Sequence, residues 1–142
     1  MAIQISVFIE NKEGRIRKAI DTLAKAEINI RALSVADTTK YGILRLIVSD
    51  NEKATKALED DGFIVKGSEV VVARIQDKPN GLNSVLALLD DADINLEYIY
   101  AFVGNEPGEG VVAMKVEDTA KARDVFEKNN IKILTKEDIE KI

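Results

Sequence analysis

The sequence predicts an α+β fold made of two copies of a βαββαβ unit, because the chain contains an internal repeat. When residues 7–36 are shifted by 66 positions, six residues superpose on identical ones without a gap, among them Ile28 and Asn29 on Ile94 and Asn95. Alternating apolar residues and helical apolar stripes also follow one another in the same order in both copies. These two observations together define the repeating unit.

Two domains are predicted, at residues 1–68 and 69–142. Units of about 70 residues are marginally stable alone, so the two are expected to share a sheet or apolar faces. From Asp50 onward the offset becomes 68, which pairs Asp50 with Asp118. An insertion near Gly104–Gly110, in a predicted hairpin loop, accounts for the change of offset.

The first unit begins with a strand at Ile3–Ile9, where apolar residues occupy alternate positions. Asn11–Gly14 interrupts this pattern, and a helix is predicted over Ile16–Ala26 because its apolar residues recur at i, i+3, i+4 and i+7. The second strand is predicted to begin at Ile28–Ala36. Its apolar residues change parity along the strand, which either a β-bulge or burial on both faces would explain.

A hairpin loop at Thr38–Gly42 is predicted to lead into a third strand at Tyr41–Ser49. The second helix begins either with a capping box from Ser49 to Glu52 or with Asp50 as its N-cap. At its end, Gly62 is predicted to adopt the left-handed conformation. Asn130 holds the same place in the second copy, and Asn is the next residue to tolerate this conformation.

The first unit is predicted to end with a strand at Phe63–Lys66, and the second to open with one at Val70–Gln76, without a flexible linker. A short closing helix is predicted at Lys136–Ile142, with Thr135 as its N-cap. Right-handed crossovers place both helices of such a unit on one face of a four-stranded antiparallel sheet. Each unit is therefore predicted to be ferredoxin-like.

Composition excludes several classes of function. The chain has no Cys and no His, which removes thiolate chemistry, the Ser-His-Asp triad and most transition-metal sites. A net charge of −5 and the lack of a basic block argue against nucleic acid as a partner. Neither a long apolar run nor a leader-like segment is present. We therefore expect a soluble cytoplasmic protein that does not bind membranes, cofactors or metals.

The turn between the first strand and first helix of each copy is the strongest candidate for ligand binding. These turns are Asn11–Ile16 and Asp77–Leu82. Unpaired N–H groups at a helix N-terminus attract a carboxylate, and Gly14 or Gly81 would let a ligand approach the main chain. The alternative is that these residues only form turns and caps.

A second repeated element is an asparagine between aliphatic residues, in Ile28-Asn29-Ile30 and Ile94-Asn95-Leu96. Its amide offers a donor and an acceptor together, which matches the ammonium and carboxylate groups of a free amino acid. Equally, the side chain could satisfy the preceding turn by an Asx-type hydrogen bond. The following strand of the second copy carries aromatic residues that are expected either in a core or interface or against a ligand: Tyr98, Tyr100 and Phe102.

These motifs resemble those of ACT domains. The second copy reads Asp77-Lys78-Pro79-Asn80-Gly81-Leu82, then a leucine-rich helix, then Ala92-Asp93-Ile94-Asn95-Leu96, and the family pattern runs D-x-P-G-x-L, a helix, then G-I-N-I. The first copy repeats both motifs in register, and the resemblance covers the whole chain. Asn80 stands where the family has Gly.

The resemblance implies an α+β architecture of two units side by side, forming an eight-stranded antiparallel sheet with the helices on one face. It also implies that small ligands, most often amino acids, bind where the loop of one unit meets the second strand of its neighbour. By that correspondence, the candidate contacts are Asn11, Gly14, Arg15 and Ile16 with Asn95 and Leu96. The mirror site would use Asp77, Asn80, Gly81 and Leu82 with Asn29 and Ile30.

The function expected from these observations is a regulatory module without catalysis of its own, which binds a free amino acid and modulates a separate metabolic enzyme. A homodimer is expected because sheet edges remain to be covered. One alternative is a scaffold or dimerisation module with a vestigial ligand site, which Asn80 favours. Another is an acylphosphatase-like hydrolase using Arg15 and Asn29, although the chain lacks the loop motif of that family.

Overall fold

A computed structural model describes residues 2–37, 40–104 and 106–142. Apart from Ala2 and Ile142 near the termini, its contacts divide the described residues into two compact units, Ile3–Ser68 and Glu69–Lys141. The predicted hairpin loop at Thr38–Gly42 lies partly outside the described residues.

The first unit has the predicted order of elements. The bounds are β1 Ala2–Glu10, α1 Arg15–Lys25, β2 Ile30–Asp37, β3 Tyr41–Val48, α2 Asn51–Asp60 and β4 Ile64–Gln76. The strands are hydrogen-bonded in the order β2-β3-β1-β4, and β3 is antiparallel to both β1 and β2. Helices α1 and α2 pack beside each other.

The second unit uses the later part of β4 as its first strand. The bounds of its other elements are α3 Gly81–Asp91, β5 Leu96–Ala101, β6 Glu109–Val116, α4 Thr119–Lys128 and α5 Lys136–Glu140. Its strands follow the order β4-β6-β5, with antiparallel pairing. On the other side of β4, Ala73 forms a single antiparallel bridge with Ile133. Helices α3 and α4 pack beside each other.

The predicted eight-stranded sheet is wrong, because the described residues form six strands. Two of the predicted strands, Phe63–Lys66 and Val70–Gln76, belong to one continuous strand, β4, since nothing between them turns the chain. The last predicted strand is reduced to the bridge at Ile133. It is this short because Thr135, two residues later, already caps α5.

In each unit one face of the two helices packs on the strands and forms a core. Leu23 of α1 and Leu58 of α2 are fully buried with the inward residues of β1 and β3 in the first unit. Leu89 of α3 and Phe126 of α4 take the same roles in the second unit. The inward strand residues are Ile5, Val7, Ile9, Leu44, Leu46 and Val48 in the first core, and Val71, Ala73, Val112, Met114 and Val116 in the second.

The helix N-termini decide between the two predicted starts of α2. Asp50 is the N-cap, and its carboxylate accepts a hydrogen bond from the Lys53 N–H at 3.1 Å. Ser49 does not cap the helix, so the capping box with Glu52 is wrong. In the second unit, Asp118 caps α4 in the same way, at 3.0 Å from the Lys121 N–H.

The C-termini of α1 to α4 share one geometry, in which the residue after the C-cap is left-handed. Gly62 (φ 91°) and Asn130 (φ 60°) adopt it as predicted. Glu27 (φ 58°) and Asp93 (φ 56°) adopt it too. In α1, the Ile28 N–H donates to the Leu23 carbonyl at 3.0 Å and the Glu27 N–H to the Ala24 carbonyl at 3.0 Å, which is the Schellman pattern.

The second strand of each unit contains a bulge. The pairing register shifts between Ile30 and Ala32, and again between Leu96 and Tyr98. This accounts for the parity change in the sequence, because an inserted residue moves later side chains to the other face.

The aromatic strand of the second unit is mostly buried. Tyr100 and Phe102 are at most 9% exposed, and the rings of Tyr98 and Tyr100 are stacked with centroids 6.4 Å apart. Burial supports a packing role over ligand contact. None of the helices in the described part of the chain is long and apolar enough to cross a membrane.

Candidate functional site

The loop between β1 and α1 presents an open backbone at the start of the helix. Gly14 is the N-cap residue and is left-handed, with φ 79°. A Cβ built at this position would have no atom within 4 Å, so the space beside it is free. Asn11 is exposed, Arg15 is half-buried, and Ile16 is 43% exposed although it belongs to the apolar stripe.

After Arg15, the next two N–H groups of α1 have no acceptor in the described part of the chain. Gly14 supplies no side-chain cap, and within the described residues neither the Ile16 nor the Arg17 N–H forms a hydrogen bond. In contrast, α2, α4 and α5 are capped by the side chains of Asp50, Asp118 and Thr135. Unpaired N–H groups at a helix N-terminus carry positive partial charge, so this end of α1 suits an anionic group.

Basic side chains reinforce this positive character. Lys12 forms an ion pair with Glu10 at 3.0 Å, and its hydrogen bond and charge, with a further contribution from Arg15, lower the pKa of the Glu10 carboxyl. Arg15 itself forms no ion pair with any residue in the described ranges. Its guanidinium therefore remains available for a carboxylate.

The loop between β4 and α3 follows the same path with different residues. Asn80 is the N-cap residue of α3 and is left-handed, with φ 71°, so it occupies the conformation that Gly14 has in the first unit. Its side-chain oxygen accepts a hydrogen bond from the Asn83 amide at 2.9 Å. Asp77 and Leu82 are exposed.

Gly81 is required by the packing of its own loop. A Cβ on this residue would clash with the carbonyl oxygen of Gln76, which is main chain and cannot move aside. The corresponding residue in the first unit is Arg15, and its N–H reaches the Lys12 carbonyl at 3.4 Å, against 2.9 Å from Gly81 to Lys78. The tighter turn leaves no room for a ligand atom on that side of Gly81.

The two candidate asparagines are held by their backbones and leave their amides unused. The N–H of Asn29 donates to the Ser49 hydroxyl, and the Asn29 carbonyl accepts from the Ser49 N–H, both at 3.0 Å. The Asn95 carbonyl likewise accepts from the Glu117 N–H at 3.0 Å. Both side chains are exposed, and neither amide forms a hydrogen bond in the described part of the chain, so the Asx-type alternative has no support.

A cleft of about 400 Å³ lies beside Asn95 and the half-buried Leu96, between α3 and the start of β5. Asn83, Leu86 and Asp90 of α3 form its other side. Sequence reasoning did not single out Asn83 or place Asp90 in a ligand site. One feature of the sequence could have indicated this cleft, because the spacing of Asn83, Leu86 and Asp90 places them on one face of the helix.

In each unit, the loop residues thus lie together around the N-terminus of the helix that follows the loop. Asn29-Ile30 lies at the start of β2, and Asn95-Leu96 lies at the start of β5. Among the described residues, no group of His, Cys, Asp or Glu side chains could hold a metal ion.

Two compact units in one chain, each with a pair of helices packed on antiparallel strands, define a tandem α+β domain pair. The profile of the ACT domain pair matches residues 1–142. The chain therefore belongs to the ACT domain pair family, which confirms the resemblance found in its sequence.

Solved structures agree with this assignment. Protein BT0572 from Bacteroides thetaiotaomicron is 36% identical, with a TM-score of 0.92 over 99% of this chain and 96% of that one. The ligand-free regulatory subunit of aspartate kinase from Thermus thermophilus is 17% identical, with a TM-score of 0.64 over 88% of this chain and 90% of that one. Its counterpart from Thermus flavus is 16% identical, with a TM-score of 0.61 over 89% and 90%. These two kinase subunits show a shared fold alone. A search of curated proteins gave no match.

Proposed function

We propose that this protein is a regulatory module that binds a free amino acid and modulates a separate enzyme without catalysing a reaction itself. The observation that carries the proposal is the N-terminus of α1 beside Gly14, which has no side-chain cap and has open space next to its main chain. The N-terminus of α3 also has no side-chain cap, but the Gln76 carbonyl closes the space beside Gly81. A ligand carboxylate would complete the hydrogen bonds that the protein leaves unmade. The name of the Thermus thermophilus protein, a regulatory subunit of aspartate kinase, supports the same class of function.

The available side chains complement a zwitterion. Arg15 supplies a positive charge for the carboxylate, and the amides of Asn29 and Asn95 can each accept from an ammonium group or donate to a carboxylate. Ile16 and Leu82 expose apolar surface at the helix starts, which suits the side chain of an amino acid.

Isothermal titration of the full chain against the twenty amino acids tests the proposal. We expect binding that Gly14→Asn weakens at least about tenfold, because the new side chain fills the space in which the ligand approaches the main chain. The backbone should tolerate this change, since Asn80 adopts the same conformation in the second unit.

The matched control is Gly62→Asn, at another left-handed glycine where a Cβ would have no atom within 4 Å. Asn130 holds that place in the second unit, so the control should leave both stability and affinity nearly unchanged. Absence of heat with every amino acid would refute ligand sensing and favour a scaffold. Release of phosphate from an acyl phosphate would contradict the absence of catalysis.

Double-mutant cycles test which loop shares a ligand with which asparagine. The family resemblance pairs Asn11, Gly14, Arg15 and Ile16 with Asn95 and Leu96. We therefore expect Gly14→Asn and Asn95→Ala to couple by more than about 0.5 kcal/mol in binding, whereas Gly14→Asn and Asn29→Ala add independently. The reverse pattern would contradict this pairing.

Regulation requires that the ligand favour one state of the protein or its complex. We propose a homodimer and a separate enzyme as the assemblies that respond. Light scattering of the full chain with and without the bound amino acid measures the first, and ligand-dependent copurification measures the second.

A further inference from the structure

The cleft beside Asn95 combines apolar walls with a few polar groups. Leu86 and Leu96 line it, and Asn83, Asp90 and Asn95 supply the polar atoms. Its volume of about 400 Å³ is within the range of small-molecule sites in proteins. All of these residues belong to the second unit.

Most side-chain polar atoms of the cleft are hydrogen-bond acceptors, and no donor in the described part of the chain is bonded to them. Within the described residues, the Asp90 carboxylate forms no hydrogen bond and no ion pair, and the Asn95 amide forms no hydrogen bond. Asn83 donates its NH₂ group to Asn80 at 2.9 Å, which leaves its own oxygen as an acceptor. A ligand that supplies donors would therefore match the cleft.

The C-terminal end of α3 strengthens this preference. The last carbonyls of a helix carry negative partial charge, and the last turn of α3 contains no basic residue to compensate it. Asp91 and Asp93 add further negative charge at the same end. The electrostatic potential around Asp90 therefore favours a cation over an anion.

We propose that this cleft binds a primary ammonium group attached to an apolar side chain, with Asp90 as the residue that selects the amine. The Asp90 carboxylate and the Asn83 oxygen accept hydrogen bonds from the ammonium, and the Asn95 NH₂ group donates to a carboxylate where the ligand has one. Leu86 and Leu96 contact the apolar side chain. This inference deepens the proposed function. It rests on the proposed function only where it identifies the amine as an amino acid.

The repeat explains why the second unit carries this specificity alone. At the positions of Asn83 and Asp90, the first unit has Arg17 and Ala24, by the offset of 66 residues. A guanidinium replaces an amide, and a methyl group replaces a carboxylate. The first unit has Asp21 where the cleft has Ala87, but the Asp21 carboxylate already forms an ion pair with Lys25 at 3.0 Å. The equivalent surface of the first unit thus lacks an unpaired anion that would hold an ammonium group.

Heteronuclear NMR of the full chain tests the assignment with three probes that share one isobutyl group: L-leucine, isopentylamine and isocaproate. The readouts are the side-chain amide signals of Asn83 and Asn95. We expect both amines to shift these signals, isocaproate to leave them in place, and Asp90→Asn to weaken amine binding at least about tenfold, since a charge-assisted hydrogen bond is lost. Asp91→Asn is the matched control, because it removes one carboxylate from the same helix end outside the cleft.

The assignment is overturned if isopentylamine does not shift the two amides, if isocaproate shifts them equally, or if Asp90→Asn leaves binding unchanged. These outcomes are separate from failure of the proposed function. Amino-acid binding that depends on Gly14 but not on Asp90 would retain the proposed function and refute this cleft. Asp90-dependent binding of isopentylamine without binding of any amino acid would retain this cleft and refute the proposed function.

Discussion

Glu27 and Asp93 occupy the position after a helix at which glycine is most favourable. Both are left-handed, and the Schellman hydrogen bonds around them are complete. Side chains with a Cβ atom pay a steric penalty in this conformation. The same position at the ends of α2 and α4 is filled by Gly62 and Asn130, which tolerate it better.

Glu27→Gly and Asp93→Gly are therefore expected to raise the free energy of unfolding by about 1 kcal/mol each. Chemical denaturation of each variant measures the change. Gly62→Ala is the opposite test and should lower the free energy of unfolding by a similar amount. If glycine at position 27 or 93 destabilised the chain, the steric explanation would fail.

Gly81 is required for a different reason, because the space for a side chain is limited there and the backbone conformation is not. We expect Gly81→Ala to lower the free energy of unfolding by about 2 kcal/mol or more, because its methyl group must displace the Gln76 main chain. Thermal unfolding of this variant beside Gly14→Ala separates the two effects. Gly14→Ala meets no neighbouring atom and should cost only about 1 kcal/mol.

At the scale of elements, α5 shows how one capping box can make a short helix depend on pH. The Thr135 hydroxyl accepts from the Asp138 N–H at 3.2 Å, and the Asp138 carboxylate accepts from the Thr135 N–H at 2.9 Å. The hydrogen bonds from Thr135 hold the pKa of the Asp138 carboxyl below its ordinary value of 3.8.

Because this pKa is lowered on folding, the carboxylate stabilises the protein above the unfolded-state pKa. That contribution is lost as the pH falls through the lower folded-state value. Asp138→Asn should therefore reduce the melting temperature at neutral pH, and its difference from the natural chain should shrink at acid pH. Thermal scans across pH 2 to 7 measure this; a difference that is constant with pH would contradict the role of the ionised cap.

At the scale of the whole molecule, the burial of Phe126 leads to a prediction about both parts of β4. Phe126 is fully buried in the second core, together with Val71 and Ala73 of that strand. Phe126→Ala should cost about 3 to 5 kcal/mol in unfolding free energy. Because β4 is continuous, we expect hydrogen exchange to quicken at residues 64–68 as well as at 70–76. Unchanged protection at 64–68 would show that the strand does not unfold as a unit.

Much of this molecule could be predicted from the repeat and its periodicity. The order of elements in the first unit, the left-handed Gly62 and Asn130, the capping by Thr135 and the family all follow from local patterns in the sequence. The number of strands could not be predicted, because whether two adjacent apolar segments join depends on the backbone of Gly67–Glu69. The cleft at Asp90 was missed for a similar reason, since its walls come from residues that only tertiary packing brings together.

The uninterrupted run of β4 from Ile64 to Gln76 also restricts how this gene can change. Side chains in a strand alternate between faces, so inserting or deleting one residue near Gly67 would exchange the faces of every later position in the strand. Val71 and Ala73 would then leave the second core. Connecting loops tolerate insertions and deletions of any length. At this junction, only length changes that keep each later residue on its own face of the strand would be neutral.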